Sequence, residues 1–150
     1  MTKFKHKNIL ITGGASGIGR LMGMEMASKG GTIVIWDINS ELLDQTAAEI
    51  RSTGAKVLAH ICDITDKEMV YNMAEKIKME IGSIDIVINN AGVVTGKPFW
   101  ECSDNEIKNT MEVGVIQLNA KFLVVLTFLQ FCPMILRTKK FFLLSSLGQV

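Results

Sequence analysis

The sequence alternates short β-branched runs with helical stretches, and this alternation is the feature that most constrains its fold. Such a pattern is typical of a parallel sheet whose neighbouring strands are joined by crossover helices. Neither an internal repeat nor a low-complexity linker interrupts it, so a single domain is predicted over residues 1–150. The predicted strands are 8–12, 32–37, 56–63, 85–92 and 140–146, and the predicted helices are 17–30, 40–51, 65–82 and a long one that begins near Ser103.

Polar residues at the predicted helix starts have the character of N-terminal caps. Ser40 is predicted to cap the second helix. Thr65 with Glu68, and Ser103 with Glu106, have the spacing of a capping box, in which each side chain accepts a hydrogen bond from the other residue's backbone N–H. These caps set the predicted N-termini of the second, third and fourth helices.

A glycine-rich stretch, Thr12–Gly19 with the sequence TGGASGIG, lies where the first strand turns into the first helix. In that context Gly13 is predicted to take a tight turn, Gly17 to let the backbone approach a pyrophosphate, and Gly19 to let the helix pack closely on the strand. The helix N-terminus would offer unpaired N–H groups and the positive end of its dipole to the phosphates. The alternative is a glycine-rich turn that binds no ligand.

Three motifs in register give the chain a resemblance to the short-chain dehydrogenases/reductases. The TGxxxGxG motif of that family stands here at residues 12–19, its NNAG motif at Asn89–Gly92, and a third motif at 62–65 as CDIT. The resemblance implies an α/β fold with a Rossmann-like doubly wound parallel sheet, of which five strands in the order 3-2-1-4-5 are present out of the family's usual seven. The segments VIWDIN and INNAGVVTGK resemble most the branch that acts on lipophilic alcohols and ketones such as retinoids and steroids, and the bacterial relatives of that branch.

The same resemblance implies a nicotinamide dinucleotide as cofactor and an alcohol or ketone as the small-molecule substrate. Asp63 would meet the adenine ring of the cofactor. The cofactor-binding residues that the resemblance implies are Thr12, Gly13, Ser16, Gly17, Ile18, Gly19, Asp37, Asp63, Ile64, Asn90, Ala91 and Gly92.

The choice between NAD and NADP depends on Asp37, which ends the second predicted strand 18 residues after Gly19. At that spacing a carboxylate reaches the adenosine ribose and accepts hydrogen bonds from its 2′-OH, whereas a 2′-phosphate would be repelled. Relatives that use NADP often carry a basic residue where this chain has Ser16. NAD is therefore predicted as the preferred cofactor. The alternative, that Asp37 merely caps the following turn, is disfavoured because Ser40 already supplies a cap.

The catalytic set that the resemblance implies is only partly present. In the family a Tyr exchanges the substrate proton, a Lys four residues later lowers the pKa of that Tyr, a Ser steadies the substrate oxygen and an Asn supports a relay water. Here the Ser is either Ser145 or Ser146, and the Asn position holds Gly114. The single tyrosine, Tyr71, has Glu75 where the Lys would stand, so a structural role is predicted for it.

We therefore expect the cofactor-binding half of an oxidoreductase, incomplete at its C-terminus and without the Tyr–Lys pair. Two alternatives stay open: a non-catalytic nucleotide-binding or interaction module, and a non-functional product that does not fold stably.

Charge and composition exclude several other classes. The net charge of +1 gives no reason to expect nucleic acid or an anionic membrane as a partner. Three cysteines without a CxxC pair favour reduced thiols and a cytoplasmic location, and His6 and His60 are too isolated to bind a metal.

No signal peptide is recognised, and the apolar segment 122–136 is shorter than the ~20 residues of a spanning helix. We expect that segment to pack in a core or against a second copy, which predicts a homo-oligomer or self-association.

Overall fold

The computed structural model describes residues 4–93 and 95–113. In these ranges four parallel strands form one sheet in the order β3-β2-β1-β4. A single 3₁₀ turn at Phe99–Glu101 follows the sheet, and residues 104–113 are helical. The strands are β1 (Asn8–Thr12), β2 (Thr32–Asp37), β3 (Val57–Ile61) and β4 (Ile86–Asn89), and the helices between them are α1 (Gly17–Ser28), α2 (Ser40–Ser52) and α3 (Lys67–Ile81).

One face of the sheet packs under α1 and α2. The strands are apolar on both faces, as expected for a parallel sheet that helices cover on both sides. Ile11 and Ile35 from the sheet lie in one buried cluster with Ala27 of α1 and with Ala47 and Ile50 of α2. The buried residues of α1 are all glycine or alanine, and their small size lets α1 pack closely on the sheet and on α2.

The opposite face packs under α3. Leu10, Val34 and Val87 from three strands form a second buried cluster with Val70 and Ile77 of α3. Because helices cover both faces, the sheet is doubly wound, as the resemblance implied, and its strand order 3-2-1-4 agrees with the first four of the predicted five. The fifth predicted strand, 140–146, lies outside the described residues.

Strand order fixes where a ligand crevice can form. The chain moves from β1 outward to β2 and β3 and then returns to place β4 on the other side of β1. In open α/β sheets this reversal separates the loops that leave two neighbouring strands, so the place for a ligand crevice is above the carboxyl ends of β1 and β4. The glycine-rich loop leaves β1 at this point.

Two predicted strands were too long. The third was predicted over 56–63 but ends at Ile61, where the carboxylate of Asp63 accepts hydrogen bonds from the N–H and hydroxyl of Thr65 and so turns the chain. The fourth was predicted over 85–92 but ends at Asn89, because the N–H groups that follow bond a side chain of β1 instead of a neighbouring strand.

Two predicted caps were also wrong. Asn39, and not Ser40, is the N-cap of α2, since its side-chain oxygen accepts from the N–H of Leu42 at 3.0 Å. In the same way Asp66, and not Thr65, caps α3. In both cases an Asn or Asp beside the predicted residue has a side chain of the length that reaches the first turn.

The capping box at Ser103 is confirmed. The N–H and hydroxyl of Ser103 donate to the carboxylate of Glu106, whose own N–H donates back to the Ser103 hydroxyl at 3.3 Å. Lys97 bonds the same carboxylate at 2.7 Å. These contacts lower the pKa of Glu106 to about 2, and the hydrogen bond from Lys97 contributes most to the shift.

The packing of α3 on the sheet predicts unequal effects of two truncations on this helix. Ile77 is fully buried whereas Met79, two residues on, is 81% exposed. Ile77→Ala should lower the free energy of unfolding by about 2–5 kcal/mol, because it leaves a cavity in the core. Met79→Ala is the matched control and should change it by less than about 0.5 kcal/mol. Urea unfolding followed by circular dichroism measures both, and equal effects would contradict the packing of α3 on this face.

Candidate functional site

The loop between β1 and α1 is bonded to the end of β2. The N–H groups of Gly13 and Gly14 both donate to the carbonyl oxygen of Trp36, at 2.8 and 3.3 Å. Trp36 itself is fully buried. The loop therefore crosses the carboxyl edge of the sheet instead of standing away from it.

Three of the loop glycines occupy positions with different requirements. Gly13 has φ +62°, and a Cβ there would lie 2.6 Å from the Cα of Ala91. A Cβ at Gly19 would lie 2.2 Å from the carbonyl oxygen of Gly13, so α1 begins in direct contact with the loop. Gly17 has φ +51° but nothing within 4 Å of the Cβ position, so its backbone faces open space. A ligand could therefore approach the backbone at Gly17, while the other two glycines serve close packing.

Asn90 holds the loop from the side of β4. Its side-chain Nδ2 donates to the carbonyl oxygens of Thr12 and Gly13, at 3.2 and 2.9 Å. In return, the buried hydroxyl oxygen of Thr12 accepts from the N–H groups of Asn90 and Ala91, at 3.1 and 3.2 Å. The donor group of the Asn90 amide is thus used by the protein, and its contribution to the site is to fix the loop.

Asp37 connects the end of β2 to the same loop. One carboxylate oxygen, Oδ2, accepts from the N–H of Ala15 at 3.0 Å, and Oδ1 accepts from the N–H of Asn39 at 3.1 Å. The second bond is a turn-capping contact, so Asp37 caps the turn that follows β2. Ser40 does not replace this contact, because the N-cap of α2 is Asn39. Each carboxylate oxygen can accept a further hydrogen bond, and the side chain is only half-buried. Turn capping and contact with a ligand are therefore compatible at Asp37.

The loop after β3 forms the next wall of the edge. Ile64 is buried, and Asp63 is half-buried with one oxygen used by Thr65. Beside them the N–H of Cys62 donates to the carbonyl oxygen of Asp37 at 3.0 Å. Burial, with the nearby carboxylates of Asp63 and Asp66, raises the pKa of the Cys62 thiol to about 12, so this thiol is a packing group.

The solvent-facing part of the site comprises the first residues of α1 and the end of the NNAG segment. Ser16, Gly17 and Ile18 are exposed, and so is Gly92 across the crevice. Gly17 to Gly19 are the first residues of α1, whose N–H groups have no partner within the helix. An anion placed here would meet these N–H groups and the positive end of the α1 dipole.

Two residues that contribute to the site, Thr46 and Gly14, were missed in the sequence. Thr46 of α2 is buried, with 1% exposure, and its hydroxyl donates to the carbonyl oxygen of Ala15 at 2.8 Å. A Cβ at Gly14 would lie 2.7 Å from Cγ2 of Ile35, so that glycine is required by packing on β2. The Gly14 requirement could have been suspected from the run of glycines, but no pattern singles out Thr46 within an ordinary amphipathic helix.

The predicted catalytic positions Ser145, Ser146 and Gly114 lie outside the described residues. Tyr71 lies on α3, at the surface, with the Lys67 ammonium 6.0 Å from its ring centroid. Within residues 4–93 and 95–113 no group of His, Cys, Asp and Glu side chains is arranged to hold a metal, and no helix is long and apolar enough to cross a bilayer.

A doubly wound parallel sheet with a glycine loop at the reversal of its strand order defines the class of Rossmann-like nucleotide-binding folds. A protein-family model described as short chain dehydrogenase matches residues 7–139. The chain belongs to this family of oxidoreductases.

Relatives with known names agree with the family. Epidermal retinol dehydrogenase 2 of Homo sapiens is 44% identical over 107 residues, which are 71% of this chain and 35% of that protein. Estradiol 17-beta-dehydrogenase 11 of Homo sapiens is 43% identical over 108 residues, 72% of this chain and 36% of that protein. The chain thus spans about a third of the length of these relatives.

A solved structure of a short chain dehydrogenase/reductase from Burkholderia phymatum in complex with NAD superposes with a TM-score of 0.78 at 30% identity. The superposition covers 85% of this chain and 46% of that one. The family and this neighbour support a nicotinamide dinucleotide as the cofactor.

The contrast between Gly19 and Gly23 predicts opposite effects of the same substitution one helical turn apart. Gly19→Ala should destabilise the fold by about 1–3 kcal/mol or more, because the methyl group would collide with the Gly13 carbonyl. Gly23→Ala is the control, since its Cβ would meet only ordinary contacts of 3.6 Å or more, and it should be neutral or stabilise α1 by up to about 1 kcal/mol. Thermal unfolding measures both. A Gly19→Ala variant as stable as the wild type would contradict the close approach of α1 to the loop.

Proposed function

We propose that this chain forms the cofactor-binding part of a short-chain oxidoreductase that prefers NAD to NADP. The observation that carries the proposal is the position of Asp37, whose half-buried carboxylate ends β2 and bonds the glycine loop through the N–H of Ala15. An acidic group at this place suits the 2′-OH of an adenosine ribose. A 2′-phosphate would face the carboxylate and would find Ser16, instead of a basic side chain, on the loop.

The residues present fit a dinucleotide in further respects. The backbone at Gly17 faces open space at the N-terminus of α1, where a pyrophosphate can approach without meeting a side chain. Ile64 and Asp63 would bound the adenine, and Ala91 and Gly92 would lie beside the part of the cofactor nearest β4. Thr12, Gly13, Gly19 and Asn90 would act by holding the loop in shape. When bound, NAD would supply the acceptor for a hydride from an alcohol, and NADH the donor to the corresponding carbonyl compound.

The proposed substrate is a lipophilic alcohol or ketone of the retinoid or steroid kind. The names of the relatives, a retinol dehydrogenase and an estradiol 17-beta-dehydrogenase, support this class. One of Ser145 and Ser146 would steady the substrate oxygen. A cytoplasmic location and a homo-oligomeric or self-associating state are parts of the same proposal, supported by the cysteine pattern and by the apolar segment 122–136.

The proposed cofactor preference predicts that NADH binds at least about tenfold more tightly than NADPH. Asp37→Ala should narrow this gap, since it removes both the acceptor for the 2′-OH and the charge that repels a 2′-phosphate. Asp44→Ala, at an exposed position on α2, is the matched control and should leave the ratio unchanged. Titration of nucleotide fluorescence gives both dissociation constants, and equal affinities of the unaltered chain would refute the preference.

A non-catalytic nucleotide-binding module is the second candidate, favoured by Gly114, which stands where the resemblance to the family places the Asn that supports the relay water. Glycine has no side chain that could take the place of that amide. In this second case the protein would bind NADH without performing any reaction on an alcohol or ketone.

A polypeptide of these 150 residues should bind NADH but show no hydride transfer above background. General acid/base catalysis contributes about 10²–10⁴-fold, and the Tyr that supplies it in the family has no counterpart in the sequence. Gly114→Asn alone should restore nothing, whereas appending the YxxxK segment of a relative should restore turnover if the first candidate is right. The rate of hydride transfer is measured from the absorbance of NADH, with a panel of retinols, steroids and simple secondary alcohols. Robust turnover by the unaltered polypeptide would require a different proton donor.

A further inference from the structure

Ala15 is held on both sides by side chains from other elements. Its N–H donates to Asp37 Oδ2 at 3.0 Å, and its carbonyl oxygen accepts from the hydroxyl of Thr46 at 2.8 Å. Ala15 and Thr46 are both buried, so neither polar group has water as an alternative partner. Thr46 lies 31 residues from Ala15 and outside every motif of the site.

The bond from Thr46 orients the peptide that opens α1. In a trans peptide the carbonyl and the following N–H point in opposite directions. Because Thr46 draws the Ala15 carbonyl inward, the N–H of Ser16 is directed to the opposite side. Ser16 is the exposed N-cap of α1, so this peptide sets the direction of the helix N-terminus that faces the crevice.

The hydrogen bond from Thr46 to Ala15 also affects the orientation of the Asp37 side chain. Ala15 is the residue through which the loop contacts the carboxylate, so a shift of Ala15 would release Oδ2 from its orientation. A further link from α2 to α1, in which Nε of Arg20 donates to the carboxylate of Glu49 at 2.8 Å, lies one turn along both helices. That pair is partly exposed, and exposed ion pairs contribute little, so the buried Thr46 contact is the one that fixes Ala15.

We propose that Thr46 is a positioning residue of the dinucleotide site, which acts through Ala15 to keep the Asp37 carboxylate in the geometry that selects an unphosphorylated adenosine ribose. The inference rests on the proposed function, since it assigns Thr46 to the NAD site proposed above. Thr46 touches no cofactor atom and acts through Ala15.

The test compares three variants of the full chain by titration with NADH and NADPH. Thr46→Val keeps the shape but removes the donor, and it should weaken NADH binding about tenfold because a buried carbonyl loses its partner. The dissociation constant of NADPH should change less than about threefold, so the ratio of the NADPH to the NADH dissociation constant should fall. Thr46→Ser keeps the hydroxyl and should bind NADH within about twofold of the wild type.

Thr53→Val is the matched control. Thr53 is the C-cap residue of α2, and its hydroxyl donates to the carbonyl oxygen of Ile50 in the same helix at 2.7 Å, at the opposite end of α2 from Asn39. It should leave both dissociation constants unchanged. If Thr46→Val loses the circular dichroism spectrum of the wild type, Thr46→Cys, whose thiol is a weaker donor, takes its place with the same expected loss.

A double-mutant cycle separates positioning from a general loss of stability. In the Asp37→Ala background, Thr46→Val should add little further loss of NADH affinity, because the group that it positions is already absent. Additive losses, equal weakening of NADH and NADPH, or an unchanged Thr46→Val would each overturn the role of Thr46 and leave the proposed function standing. A wild-type chain that binds no NADH would instead overturn the proposed function, and with it the site to which Thr46 is assigned.

Discussion

A tight loop laid across the end of a sheet buries backbone polar groups, and those groups need partners. This constraint governs the site. The N–H groups of Gly13 and Gly14 bond the end of β2, their neighbouring carbonyls bond the Asn90 side chain after β4, and the Ala15 carbonyl bonds Thr46 of α2. An unpaired buried polar group costs about 1–3 kcal/mol, so the loop can adopt this shape only where all three elements are in place. The fold and the site are therefore parts of one hydrogen-bond arrangement.

The protein forms hydrogen bonds with the loop's carbonyl groups on the side that faces the sheet and α2. The outer side of the loop is therefore available to a ligand. The protein uses the carbonyls of residues 12, 13 and 15, while the backbone at Gly17 and the exposed start of α1 face the crevice. Glycine is needed where the loop meets protein, at Gly13 and Gly19, for lack of space. At Gly17 space is available, and the absent side chain leaves room for a phosphate. This arrangement supports the proposed recognition of a dinucleotide, in which Asp37 would contact the adenosine ribose.

Prediction succeeded where a feature depends on consecutive residues and failed where neighbours compete. The alternation of elements and the capping box of Ser103 and Glu106 were readable because apolar period and cap spacing are local. The order of the first four strands is not local and was predicted only through the resemblance to the family. The caps of α2 and α3 were misplaced by one residue, since Ser40 and Thr65 each stand next to a residue that can also cap. The ends of β3 and β4 were misplaced because the local pattern does not show where the chain leaves the sheet. Asp63 turns the chain after β3, and the N–H groups after β4 bond the Thr12 side chain.

The sequence by itself determined the class of fold, the glycine loop and the acidic residue at the end of β2, since each is written in a short run of residues with a fixed spacing. Only the tertiary structure decided how Asn90 and Thr46 serve the loop. Their bonds join residues 77 and 31 positions apart, and such pairs meet only after parallel strands have aligned and the helices have packed on them. An Asn in a motif or a Thr in a helix has the same local preferences whether its side chain faces a ligand, water or a buried carbonyl. The choice among these is made by burial, which is a property of the assembled layers and not of any segment of the chain.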